Sequence, residues 1–141
     1  MKQYHTEISI AAPLAVVWAV LTDFAAYPEW NPLVGRLQGD VRTGGRIRMF
    51  IKPLDRTFKA TLKRVAEAEE LTWVGVQFAA WFLSGEHYYR LEVLGDDSTR
   101  LLHGEYFRGL GSAFLGRSAL RRMEETFELH NRLLKKRVEG L

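Results

Sequence analysis

Cysteine is absent from all 141 residues. Its absence removes disulfides, thiolate metal sites and cysteine nucleophiles together, and it is compatible with a reducing cytoplasm, the expected location. No apolar run approaches the ~18 residues of a membrane span, and the opening MKQYHTEIS lacks the apolar stretch of a secretion signal. Histidine is limited to four residues, and none stands at HxH or HExxH spacing. A metal would need His87, His103 and Glu105 to converge on one ion, so no metal is expected. Gly109-Leu110-Gly111-Ser112 follows a strand but lacks the spacing and βαβ setting of a dinucleotide loop. There is no phosphate loop and no Ser–His–Asp order, and no cofactor is expected.

Charge of one sign is not in large excess, at +3 overall. Much of the surplus lies near the end of the chain, in Arg117, Arg121, Arg122, Arg132, Lys135, Lys136 and Arg137. Glu124, Glu125, Glu128 and Glu139 interrupt it, as on the solvated face of an amphipathic helix. Nucleic acid is therefore not an expected partner. Hydrophobic residues at 47% and charged residues at 26% are ordinary for a globular protein. One domain over residues 1–141 is expected, large enough to bury roughly 70% of its unfolded surface.

The chain opens with an alternating strand (Ile8, Ile10), then Pro13, which suits the first turn of a helix. Leu14, Val17, Trp18 and Leu21 follow at helical spacing. Tyr27-Pro28-Glu29-Trp30-Asn31-Pro32 then breaks the helix. After Pro32 the chain reads as strand after strand. Gly44-Gly45 marks a hairpin, and Ile47, Met49 and Ile51 alternate with Arg46, Arg48 and Phe50. Phe58, Ala60 and Leu62 alternate with Lys59, Thr61 and Lys63. Leu71–Phe78 is a further strand, a turn is expected near Ser84-Gly85, and Glu86–Leu94 pairs with Thr99–Phe107 across Gly95-Asp96-Asp97-Ser98. From Leu115 to Arg137 the pattern is a long helix with Leu120, Met123, Phe127, His130 and Leu134 on one line. Its apolar face needs a sheet to cover it.

This order resembles the START-like superfamily, also called the SRPBCC or polyketide-cyclase-like group. The hairpin Gly85-Glu86-His87-Tyr88-Tyr89-Arg90-Leu91 … Thr99-Arg100 … Glu105-Tyr106-Phe107-Arg108-Gly109 resembles that of bacterial members. The resemblance implies an α+β helix-grip fold. In it a curved antiparallel sheet of about seven strands wraps a long C-terminal helix, with two short helices between strands 1 and 2. It also implies an internal cavity.

Alternation places His87, Tyr89, Leu91 and Val93 on one face and Thr99, Leu101, His103, Glu105 and Phe107 on one face of the next strand. The apolar members suggest that both faces point inward, although Tyr88 and Leu102 would allow the inverted assignment. Phe58, Leu62, Trp73, Tyr89, Leu101, Met123 and Phe127 are the expected cavity lining. His87, His103 and Glu105 would orient a polar end, and His130 lies on the helix's inward line. Trp30 and Trp81 sit beside turns, where they would either pack the turn or line a cavity mouth. Asn31 and Asp23 read as caps or turn residues.

Three functions fit. The first is binding of a small apolar molecule such as a lipid, isoprenoid or polyketide. The second is a cyclase or dehydratase with His103 and Glu105 as acid and base. The third is a protein-interaction module using the basic helix face at Arg121, Arg122 and Lys135. A satisfied histidine–glutamate pair is the structural alternative for His103 and Glu105. An exposed strand edge would permit a homodimer.

Overall fold

A computed structural model describes residues 2–77 and 82–141. Strand β1 (Lys2–Ile10) leads through Pro13 into helix α1 (Leu14–Thr22), a 3₁₀ turn and the single-turn α2 (Tyr27–Trp30). Then come β2 (Val34–Gly39), β3 (Arg46–Ile51), β4 (Arg56–Ala66), β5 (Glu70–Gln77), β6 (Leu83–Gly95), β7 (Ser98–Arg108) and the long helix α3 (Arg117–Glu139). The strands form one antiparallel sheet in the order β1-β7-β6-β5-β4-β3-β2. β1 and β2 are consecutive in sequence yet occupy opposite edges, so α1 and α2 must carry the chain across the sheet. Helix α3 lies on the same concave face. This is the helix-grip architecture. Among the described residues no helix is long and apolar enough to cross a membrane.

Several boundaries differ from the sequence reading. Ser84-Gly85 is no turn: β6 starts at Leu83, and Gly85 pairs with Gly75 on one side and Phe107 on the other. The position is marked by contact rather than by bending, since a larger residue would have to displace the Glu105 carboxylate. A Cβ on Gly85 would stand 2.5 Å from Glu105 Oε2. Helix α3 begins at Arg117 instead of Leu115, because Leu115 closes a 3₁₀ turn (Leu110–Phe114) and Gly116 is the N-cap in extended conformation. The strand expected over Leu71–Phe78 is observed as Glu70–Gln77, and Phe78 and Trp81 lie outside the described residues.

The interior divides unequally. Val17 and Leu21 of α1, Tyr27 and Trp30 of α2, and Leu134 and Val138 of α3 join Ile10, Ile47, Leu62, Leu71 and Leu101 of the sheet in one solid core. Tyr4, Phe107 and Phe127 form a smaller cluster, flanked by Leu33, Leu83, Leu115, Leu120 and Met123. The C-terminal half of α3 is therefore packed against filled space. Its N-terminal half roofs a cavity. The floor beneath is cleared by a cross-sheet row of small residues, Ala60, Gly75 and Gly85, paired side by side on β4, β5 and β6.

Candidate functional site

The cavity measures about 660 Å³ and lies between the sheet and the N-terminal half of α3, reaching Pro53, Leu54, Leu83 and Leu115 at one end. Its wall is mostly apolar, with Met49, Phe58, Trp73, Leu83, Phe107, Met123 and Phe127 prominent. Polar side chains are few: Tyr4, His87 and Glu105 inside, and Arg122 and Thr126 besides, with the Lys59 carbonyl near Gly75. Size and composition are those of a pocket for a small apolar molecule with a few fixed polar contacts.

Of the residues expected to line a cavity, Phe58, Trp73, His87, Glu105, Met123 and Phe127 do so. Leu62, Tyr89, Leu101, His103 and His130 are placed elsewhere: each is fully buried, in core that the cavity does not reach. Strand alternation selects a face but says nothing of how far along the strand that face is filled. Trp30 is likewise no mouth residue. It is 8% exposed and packs edge-on between Tyr27 and His130. Val93, grouped with the inward face, is 66% exposed near the hairpin tip. Asn31 acts as expected in a turn, its Oδ1 accepting from the Leu33 and Val34 amides at 2.8 Å each.

A direct His103–Glu105 pair, one of the alternatives left open, does not form. Residues i and i+2 of one strand are about 6.7 Å apart, farther than direct neighbours across a ladder. Register gives Glu105 the neighbours Tyr4 on β1 and His87 on β6. The Tyr4 hydroxyl donates to Glu105 Oε1 at 2.8 Å. His103 sits between the parallel rings of Tyr89 and Phe127, with centroids at 4.4 and 4.0 Å. Its Nδ1 meets Asn131 Oδ1 at 2.8 Å, and its Nε2 meets His87 Nε2 at 2.8 Å. Asn131 Nδ2 donates to Thr6 Oγ1, which donates to the His103 carbonyl. Tyr89 and His130 complete the network through a 2.8 Å bond between the hydroxyl and Nε2.

Tyr4, Thr6 and Asn131 went unnoticed in the sequence. Tyr4 and Thr6 share the inward alternation of Ile8 and Ile10, and Asn131 directly follows His130 on the helix. That alternation was the available signal.

Burial dominates the electrostatics. It holds His87 and His103 well below the ordinary imidazole range, helped by mutual repulsion among the histidines, and lowers His130 to about 4. The same desolvation lifts Glu105 to about 7, against which the Tyr4 hydrogen bond acts only weakly. Burial, with the Glu105 carboxylate alongside, keeps the Tyr4 phenol protonated.

A glutamate ordinarily titrates at 4.5, and the native Glu105 at about 7. Between those values the native state holds a proton that the unfolded chain has lost, so stability falls as pH rises through that window. The difference is worth about 3 kcal/mol once complete. Glu105→Gln keeps an acceptor for Tyr4 and cannot ionise. It is expected to exceed the wild type in stability at pH 8, with the gap shrinking steadily toward pH 5. Urea unfolding at several pH values tests this; a gap that ignores pH would mean that Glu105 does not titrate in this window.

The basic face of α3 is partly spoken for. Arg121 pairs with Glu125, Lys135 pairs with Glu139 and also donates to the Ser9 carbonyl, and Arg122 borders the cavity.

Nothing among the curated proteins matches the chain in sequence. Solved structures match along nearly its whole length. A START superfamily protein from Mycobacterium smegmatis is 22% identical, with 98% of this chain and 97% of that one covered at a TM-score of 0.78. The Zhui aromatase/cyclase from Streptomyces sp. R1128 is 16% identical, with 98% and 93% covered and a TM-score of 0.77. A hypothetical protein of Helicobacter pylori is 16% identical, with 97% and 88% covered and a TM-score of 0.81. These likenesses establish the START-like fold. A sequence model of one family, described as polyketide cyclase / dehydrase and lipid transport, matches residues 1–139. The chain that folds this sheet around this helix thus belongs to the polyketide cyclase / dehydrase and lipid transport family.

Proposed function

We propose that the protein binds one small, largely apolar molecule in the cavity between the sheet and the first half of α3. The observation that carries this reading is the 660 Å³ apolar cavity itself, open at one end and cleared by glycines paired across the floor. A fold kept only for stability would have no use for it, because unfilled core volume costs roughly 24 cal/mol per Å³. Phe58, Trp73, Met123 and Phe127 would hold the ligand's body, and His87 and Glu105 its polar end.

Gly75 offers a clean test. A Cβ added there would meet only the Lys59 carbonyl oxygen, at 3.9 Å. Gly75→Leu therefore directs its side chain into the cavity from a Cβ that meets no clash, and replaces a poor strand residue with a better one. The wild type is expected to take up one N-phenyl-1-naphthylamine per chain with a rise in fluorescence. Gly75→Leu should weaken that uptake about tenfold or more while melting no lower, since about 1.4 kcal/mol of lost contact suffices. Unchanged uptake would show that the probe sits elsewhere and would remove the support for this reading.

A second reading, cyclase- or dehydratase-type catalysis, is favoured by one observation. Glu105 faces an apolar cavity and titrates at about 7, where a carboxyl can both give and take a proton. In that case His87 would be its partner, since His103 lies behind His87 and out of reach of the cavity.

A further inference from the structure

The polar corner of the cavity can be read proton by proton. The single Thr6 hydroxyl hydrogen is spent on the His103 carbonyl, at 2.7 Å. Thr6 Oγ1 can then only accept, so the Asn131 atom 2.8 Å from it is the amide nitrogen. That fixes Asn131 Oδ1 against His103 Nδ1, which must carry the hydrogen. His103 is neutral, so its Nε2 is a bare acceptor and His87 Nε2 is the donor across the 2.8 Å bond between them. His87 is neutral as well, which leaves a lone pair on Nδ1. That nitrogen has no hydrogen-bond partner and almost no surface open to the cavity, so a ligand group reaches it only where the side chains packed around the His87 ring yield. The relay from Thr6 through Asn131 and His103 thus dictates an unused acceptor on a cavity residue.

Beside it stands Glu105, the direct cross-strand neighbour of His87. Oε1 accepts from Tyr4, so in the neutral acid the proton sits on Oε2, which lies above the missing side chain of Gly85. One free acceptor and one free donor are therefore held about 5 Å apart at their Cβ atoms. A hydroxyl group complements both, donating to His87 and accepting from Glu105. An ether or ketone can use only Glu105, and a hydrocarbon neither. An ammonium group would meet the cationic Arg122 at the border of the same cavity. We infer that the cavity selects apolar molecules whose buried end is an alcohol or phenol hydroxyl, held between His87 Nδ1 and Glu105 Oε2. This rests on the reading of the cavity as the ligand site.

Four probes on one skeleton test it in the wild-type protein at pH 6.5: naphthalene, 2-methoxynaphthalene, 2-naphthol and 2-naphthylmethylamine. 2-Naphthol is expected to bind about tenfold tighter than the ether or the hydrocarbon, the effect of one or two good hydrogen bonds. Nitrogen-15 NMR should show His87 Nδ1 unprotonated in the free protein and shifted by 2-naphthol but not by the ether. His87→Phe keeps a ring to stack on Trp73 and should cut the preference to about threefold or less. Equal binding of all four probes would overturn the hydroxyl site and leave the cavity reading standing. Tightest binding by the amine would overturn it in favour of an ion pair with Glu105. A protonated Nδ1 in the free protein would overturn the relay. If no probe binds, both readings fall.

Discussion

Asn131→Ala is expected to destabilise the protein by about 3–5 kcal/mol, because it leaves two buried N–H groups and one hydroxyl oxygen without their partner at about 1–3 kcal/mol each. Asn131 is 2% exposed and joins elements that are far apart in sequence: Thr6 on β1, His103 on β7 and its own helix α3. Its neighbour His130 also directs Nδ1 at the same Oδ1, at 3.1 Å. No water can reach these atoms in compensation, since Thr6, His103 and His130 are all buried. Loss of contact alone gives a smaller figure, as Asn→Ala removes little apolar area. Asn131→Leu separates the two causes: it preserves volume and removes every hydrogen bond. Both variants should therefore fall by similar amounts in urea unfolding. A Leu variant close to wild type would mean that packing, rather than the polar relay, holds this region. Loss of Asn131 should also release the His87 tautomer, so the preference for 2-naphthol should weaken in any variant that still folds.

Why some of this was legible in the sequence and some was not follows from the length scale of each signal. The strand–helix–turn opening, the alternating strands and the 3.6-residue stripe of α3 are local periodicities. They fixed the architecture, and they correctly turned His87, His103 and Glu105 to one side of the sheet. Gly85 was misread because a glycine beside a serine is ordinarily a turn. What marks the position is the Glu105 carboxylate 2.5 Å from where a Cβ would stand, a contact with a residue twenty positions away. The pairing of Glu105 with Tyr4 was invisible for the same reason: β1 and β7 are neighbours only once the sheet has formed. The division of the inward face into filled core and open cavity is equally non-local. It depends on α1 and α2 crossing beneath one half of the sheet and not the other, which no property of β6 or β7 alone can report. Trp30 left both a rim and a packed turn open, because only the assembled crossing, of which it is part, decides that it fills the core.

Acid should unfold this protein near pH 4–5, well above the range in which carboxylate loss alone usually acts. His87, His103 and His130 are all neutral in the native core, with His130 at about 4 and the other two held well below the ordinary 6.5. As pH falls below 6.5 the unfolded chain takes up three protons that the native state refuses, so stability is lost progressively. At pH 4 His130 alone contributes a loss of about 3 kcal/mol, and His87 and His103, both held well below the ordinary range by burial, add to it, a large share of the stability of a typical domain. Glu105 opposes this: the native state keeps its proton as the unfolded chain approaches 4.5, which returns about 3 kcal/mol. The histidines win by number. Between pH 6 and 5 the unfolding free energy should therefore drop with a slope of about two protons, close to 3 kcal/mol per pH unit. Glu105→Gln removes the opposing term and should steepen the slope to about three protons, although the variant is the more stable protein at pH 8. Urea unfolding at half-unit intervals, followed by tryptophan fluorescence, reads both slopes. A flat profile from pH 6.5 to 5 would show that the core accepts protons on its histidines. The chain of donors from Thr6 to His87 would then not exist in the form that leaves Nδ1 free.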